Sequence, residues 1–585
     1  MTTDQVPMNR KNKPSLLLTL GTSAVLIGGG AIAYWIVLQK QPLSENLPVG
    51  ANLVPQDVLM TISLSTNPSQ WQQLREFGTP QTQASFDRTL ATLRDRFLTR
   101  NGYNYQQNIQ PWAGKEVTFA FFSQPTAPKG KLTQKTSPSP SDEDDRDRQS
   151  VVMLLPIADY KQAKQLLDQP NSPLKQTNWI DRTYKGIQIK ETKQNSPDNY
   201  SATVLDGKFL AIATEPQTID KIIDTYQSGA SVLKIPGYIE SLNKLKSAES
   251  FAKLYVNIPL AALEAKIWVP NSISPQAFAQ LQQQQGLAAN ISLASEGIRF
   301  KTISWLKPNS PKKYAIENKA GSMNKRLPSN TLMMISGGNL KLFWQDYLQG
   351  SEANPLTPFN PQELRNLVKA YTNLDLEKDL IPWMGDEFSL SLIPLDKEAK
   401  TDSISTNSNT GLVFMVKASD RKLAEKSIAQ LDKVMNDKYQ FKVEAGKVNN
   451  QTVTNLTSPS PEVKISHGWL NGNVAFLAFG DRIPEAIVPQ PNPNLVQTEL
   501  FRNTVPLEIN PNNGNFFLDV DRLGIDTTAN IFTILLRLSS EPNTQTILRN
   551  LITPIRTIGA TNAIVNERST YFDIFVKLKK VADKG

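Results

Sequence analysis

Two glutamates, Glu116 and Glu387, close nearly identical hexapeptides, Pro111-Trp112-Ala113-Gly114-Lys115-Glu116 and Pro382-Trp383-Met384-Gly385-Asp386-Glu387. A carboxylate recurring at matched positions beside a large aromatic ring suits a general acid or base, or one wall of a ligand groove. The same residues also suit a structural corner. Proline fixes φ, glycine can take backbone conformations closed to other residues, and glutamate orders a turn or meets a basic neighbour. Lys115 of the first copy is replaced by Asp386 in the second, so chemistry common to both would have to tolerate a reversal of charge. The corner reading is preferred, with Trp112 and Trp383 as core aromatics.

Other reactive residue types are thinly spread. His467 is the single histidine and cysteine is absent, so no zinc shell and no thiolate or disulfide can be assembled. General-base duty would need a positioned nucleophile beside His467, and no role is assigned to it. The acidic run Asp142-Glu143-Asp144-Asp145-Arg146-Asp147 lacks the glycine and the closing glutamate of a calcium loop and reads as solvated. Ser-x-x-Lys recurs at Ser172, Ser241, Ser310, Ser322 and Ser419 without a Lys-Thr-Gly partner, as chance allows in a Ser- and Lys-rich chain. No phosphate-binding loop, Gly-x-Ser-x-Gly or dinucleotide fingerprint occurs. The expectation is a non-enzyme with no catalytic residues, no metal ligands and no cofactor.

The elements around the two corners match as well. A proline-marked entry and a short apolar strand open each copy, at Leu53-Val54-Pro55 and at Leu327-Pro328, followed by segments bearing Trp71 and Trp344. Phe86, Leu90, Leu93 and Phe97 recur at helical spacing before the first corner; Leu364, Leu367, Val368 and Tyr371 do so before the second. After each corner a strand alternates, with Val117, Phe119 and Phe121 answered by Phe388, Leu390 and Leu392. Asp159 and Asp420 are placed to cap helices, and Asp206-Gly207 and Asn471-Gly472 to turn hairpins. Gln-rich residues 276–285 are read as helical. Each unit is expected to run strand, helix, strand, strand, helix, hairpin, helix, strand, strand.

These patterns predict an α+β fold with two tandem copies of a mainly antiparallel sheet-plus-helices unit. The first repeat covers residues 48–307, with a disordered Pro-, Ser- and Asp-rich loop at 123–150. A linker follows at 308–325, and the second repeat covers 326–580. At 585 residues the chain exceeds what one core usually organises.

The N-terminus predicts location. Residues 15–38 carry no charge, enough for a helix at ~1.5 Å per residue to cross the ~30 Å hydrocarbon core. Arg10, Lys11 and Lys13 precede it, which puts residues 1–14 in the cytoplasm and the bulk of the chain on the periplasmic or thylakoid-lumenal side. Ala31-Ile32-Ala33 could mark signal-peptide cleavage, but the apolar run continues to Leu38 and favours an uncleaved anchor. A net charge of +9 over the whole chain, with no basic stretch interleaved with aromatics, excludes a nucleic-acid partner from the expectations.

The anchor, the two strand entries, Trp71 with Phe77-Gly78 and both Pro-Trp-x-Gly-x-Glu corners resemble a family of single-anchor proteins known mainly from cyanobacteria as a domain of unknown function. The resemblance covers most of residues 48–580 and implies the anchored, duplicated architecture. It implies no mechanism, catalytic residue or cofactor. The leading expectation is a non-catalytic, membrane-anchored binding or scaffold module with a protein or lipid partner. A carrier or chaperone for an apolar ligand, and a hydrolase working without His or Cys, are the alternatives.

Overall fold

The computed structural model describes residues 47–98, 103–123, 150–167, 179–192, 200–246, 249–268, 275–350, 361–394, 410–459, 464–523 and 552–581. The expected membrane-spanning residues 15–38, and residues 1–14, lie outside that set, as does most of the 123–150 loop. No described helix is long and apolar enough to cross a membrane.

Alternation builds the strands. In β1 (Val58–Ser65) Met60, Ile62 and Leu64 point to one face while Thr61, Ser63 and Ser65 point to the other, and every position is buried. The rest of the first half supplies β2 (Glu116–Phe122), β3 (Ser150–Pro156), β4 (Trp179–Tyr184), β5 (Ile187–Thr192) and β6 (Ser201–Leu205). β7 (Phe209–Ala213), β8 (Ala252–Val256), β9 (Gln284–Ala294) and β10 (Gly297–Leu306) complete it. The second half carries β11 (Met333–Gly337), β12 (Phe388–Pro394), β13 (Thr410–Lys417), β14 (Lys442–Val448) and β15 (Gln451–Thr457). It ends with β16 (Lys464–Leu470), β17 (Val474–Phe479), β18 (Gly514–Asp519), β19 (Ile555–Asn566) and β20 (Ser569–Leu578).

All pairings are antiparallel and link these strands into one 20-stranded sheet. The first half runs β4-β5-β6-β7-β3-β2-β1-β8-β9-β10. From the opposite edge the second half runs β14-β15-β16-β17-β13-β12-β11-β18-β19-β20. The order of pairing is therefore the same in both halves. They meet where β10 pairs with β20: Gly297 faces Lys577, Lys301 faces Asp573 and Trp305 faces Ser569. When the β9–β10 and β19–β20 turns are aligned, this register reads the same from either end, about a local two-fold at Lys301 and Asp573.

One apolar core lies on the Met60–Ile62–Leu64 face and draws residues from both halves, among them Phe121, Ile298, Phe300, Met333, Leu392, Leu518 and Val576. On the other face each half has a core of its own, around Tyr255 and Trp305 in the first and around Met415 and Phe517 in the second.

The mixed, antiparallel α+β class is as expected, with three local differences. Each half has a further hairpin, β4–β5 and β14–β15, which the sequence reading passed over because most of its positions are only half-buried or exposed. Helix in the Gln-rich segment stops at Leu281, and Gln284 already begins β9. Residues 308–325 are tied to the sheet. The Tyr314 N–H donates to the Glu567 carbonyl, Ala320 N–H donates to Asn512, and Met323 and Asn324 are buried.

Candidate functional site

The two corners are built alike from the residue level up. Each begins with one wide helical turn, Tyr105–Ile109 or Leu376–Leu380, capped by Asn104 or Asp375, whose side chains accept from the N–H of Gln107 and Lys378. The indole N–H of Trp112 donates to the Asn108 carbonyl at 2.5 Å, and that of Trp383 donates to the Asp379 carbonyl at 3.1 Å. Both rings are buried, so neither lines an open groove. Each tryptophan carbonyl in turn accepts from the start of the next helix, Ala158 and Asp159 at the first corner and Ser419 at the second. Pro111 and Pro382 enter these turns directly before the tryptophans.

Gly114 and Gly385 act differently from the sequence expectation, since neither has positive φ. At Gly385 the requirement is space: a Cβ there would lie 3.1 Å from the Ser419 Oγ.

The two glutamates end in different surroundings. Glu116 Oε2 accepts from Lys253 Nζ at 3.1 Å, and Lys253 also donates to the Leu47 carbonyl at 3.3 Å. Glu116 Oε1 is buried without a hydrogen-bond partner. Burial pushes the Glu116 carboxyl up to about 7, with Lys253 opposing the shift. Glu387 Oε1 instead accepts three backbone N–H bonds, from Gly321, Ser322 and Met323 at 2.7, 2.6 and 3.0 Å, while Oε2 accepts from the Ser322 hydroxyl. The first carboxylate meets a basic neighbour and the second orders a turn.

Lys253 belongs to a polar row, with Glu116 beside it, that the sequence reading missed. Directly opposed residues in neighbouring strands share a face. Thr118, Ser63, Lys253, Asn290 and Lys301 oppose one another in turn across the first half. The row crosses the junction to Asp573 and continues through Thr561, Asn515, Ser336 and Ser389. It stops at Leu154 on one side and Met415 on the other. All but Lys301 are buried. Hydrogen bonds join parts of it: Ser63 Oγ to Thr118 Oγ1 at 3.1 Å, Asn515 Nδ2 to Thr561 Oγ1 at 2.9 Å, and Asn324 Nδ2 to Asn515 Oδ1 at 2.8 Å. The available signal was the run of Thr61, Ser63 and Ser65 inside a strand otherwise fit for a core.

Ser63 opposite Lys253 is the residue pairing that a histidine-free hydrolase would use. Ser63 is fully buried and bonded to Thr118, and the Leu47 and Val49 carbonyls lie across the cluster as acceptors for Lys253 and Thr118. In this conformation the hydroxyl faces protein rather than solvent. His467 is buried in β16, its Nε2 2.7 Å from Asp432. Among the described residues no cluster of three or more His, Asp or Glu side chains could hold a metal ion.

No curated protein matches this chain. Among solved structures, crystal form III of TP0453 is similar at 10% identity over 44% of this chain and 80% of that chain, with a TM-score of 0.22. Crystal form I is similar at 9% identity over 44% and 78%, with a TM-score of 0.24. At such TM-scores the likeness supports no argument about fold or function. The family model described as a protein of unknown function, DUF3352, matches residues 19–578, from inside the uncharged N-terminal stretch to the last residue of β20. This chain belongs to the DUF3352 family.

Proposed function

We propose that the protein is a non-catalytic binding or scaffold module, tethered by residues 15–38 and held outside the cytoplasm, whose two halves arose by duplication of one α+β unit. The observation that carries the reading is the fate of the repeated corners. Both tryptophans and both glutamates, the residues best placed to act on a ligand, are buried and spent on neighbouring protein groups. The shared order of strand pairing and the symmetric β10–β20 register support the duplication. The uncharged stretch behind Arg10, Lys11 and Lys13 supports the tether.

The absence of cysteine makes topology directly measurable. Lys13→Cys and Lys341→Cys variants would be treated with a membrane-impermeant maleimide in intact cells or right-side-out vesicles. Labelling of the exposed Lys341→Cys site alone is expected; labelling of Lys13→Cys alone, or of both, refutes the orientation. The scaffold role is tested by crosslinking and pull-down from native membranes. A specific partner supports it, whereas no partner together with unchanged envelope behaviour on deletion counts against it.

A further inference from the structure

Two hairpin tips and a helix start border a shallow, open recess of about 510 Å³ in the second half. Asn449 and Asn450 form the tip of β14–β15, Asn471 and Asn473 flank the tip of β16–β17, and Arg421 opens the helix Arg421–Tyr439.

The lining narrows the ligand class. Arg421 is the one charged lining residue, and its Nε donates to Glu425 at 2.8 Å while its Nη1 donates to Asn473 Oδ1 at 3.3 Å. With that charge answered, a phosphate or nucleotide lacks the cations it needs. No carboxylate lines the recess, so the charge of a hard metal ion would go uncompensated there. Leu470 is the only aliphatic side chain there, so an acyl chain would find little surface. What remains is a set of neutral amides: Asn449 donates to the Val488 carbonyl, Gln451 donates to the Trp469 carbonyl and Asn473 accepts from Arg421, which leaves Asn450 and Asn471 to meet a ligand as donors and acceptors. Beside them the Trp469 ring carries the Arg421 guanidinium 4.3 Å above it.

Turn geometry alone does not account for this composition. Asn449, Asn450 and Asn473 have positive φ, which asparagine tolerates well. Asn471 does not, and its side chain and that of Asn450 are exposed at the lip. The corresponding tips of the first half carry Lys185-Gly186 and Asp206-Gly207-Lys208. There Lys208 pairs with Asp206, and the Tyr160 ring lies against Gly207. Amides line this place in one half only.

We propose that the recess binds a neutral saccharide, with Asn450 and Asn471 hydrogen-bonding its hydroxyl or acetamido groups and Trp469 positioning Arg421 as a further donor. The inference rests on this lining and is independent of the anchor and of the scaffold reading. It is tested on the full-length protein in detergent by calorimetric and saturation-transfer titration with chitobiose and with cellobiose. Millimolar or tighter binding of either is expected, and preference for chitobiose would assign the acetamido group. Asn450→Ala with Asn471→Ala should weaken binding about tenfold, the loss of two ordinary hydrogen bonds. Lys208→Ala at the first-half tip should leave it unchanged. No binding of either sugar, undiminished binding in the double variant, or an equal loss in Lys208→Ala overturns the proposal.

Discussion

At the scale of single residues, the twin glutamates show that equal sequence does not give equal electrostatics. Glu387 sits at a cluster of backbone N–H dipoles, whereas Glu116 shares its burial with one ammonium group and keeps an oxygen unbonded. Desolvation outweighs that one contact, which is why the Glu116 carboxyl rises from 4.5 to about 7. The sign follows. A raised folded value means that the native state holds the proton more tightly than the unfolded chain, so this contribution is complete below pH 4.5 and is lost as pH rises through 7. Glu116→Gln combined with Lys253→Met should lack that dependence. Its unfolding free energy relative to the parent should climb by up to about 3 kcal/mol between pH 4.5 and 7 and level off beyond. Denaturation curves that keep a constant separation across this range would refute the assignment. The tryptophans allow a matched comparison: Trp112→Ala and Trp383→Ala should each cost about 3–5 kcal/mol in unfolding experiments, because both vacate buried sites. A cost near zero at either would mean that its ring is not a core element.

At the scale of elements, the junction of β10 and β20 depends on side chains that no local pattern marks. Arg299 reaches both oxygens of Asp573 at 2.8 and 2.7 Å and both of Glu508 at 2.9 and 2.5 Å. The Asp573 side chain is 1% exposed, so it relies on this fork. Arg299→Ala should cost about 3–5 kcal/mol by stranding a buried carboxylate, and Arg299→Lys should recover only part because an ammonium cannot bridge two carboxylates in the same plane. Equal stability of the alanine variant and the parent would exclude that role. Gly297 is constrained by close approach, since a Cβ there would meet the Val576 carbonyl oxygen at 2.0 Å. Gly297→Val is therefore expected to push β20 away and to open the junction to limited proteolysis, with an unchanged cleavage pattern as the contrary result. The hairpins β4–β5 and β14–β15 were hard to read for a related reason: lying at the ends of the sheet, they bury only Ile189 in one and Val453 and Leu456 in the other, too few side chains to mark an alternating apolar code.

At the scale of the whole molecule, the sheet is continuous and the core on one of its faces takes residues from both halves. Shared burial couples the halves more tightly than a tether would. Calorimetric unfolding of the full chain should accordingly give one main transition, and Arg299→Ala should split or broaden it. Two well-separated transitions in the parent would show that the halves melt as independent domains.

The sequence by itself determined the α+β class, the matching corners, the helix caps at Asp159 and Asp420, and the poverty of the chain in catalytic residue types. These follow from short-range rules of periodicity, capping and residue chemistry, which act within a few positions along the chain. Only the tertiary structure decided that Glu116 faces Lys253 while Glu387 faces backbone N–H groups, and that Ser63, Lys253, Lys301 and Asp573 fall in one row. Those partners lie far apart in the chain, and only the pairing and packing of segments distant in sequence bring them together.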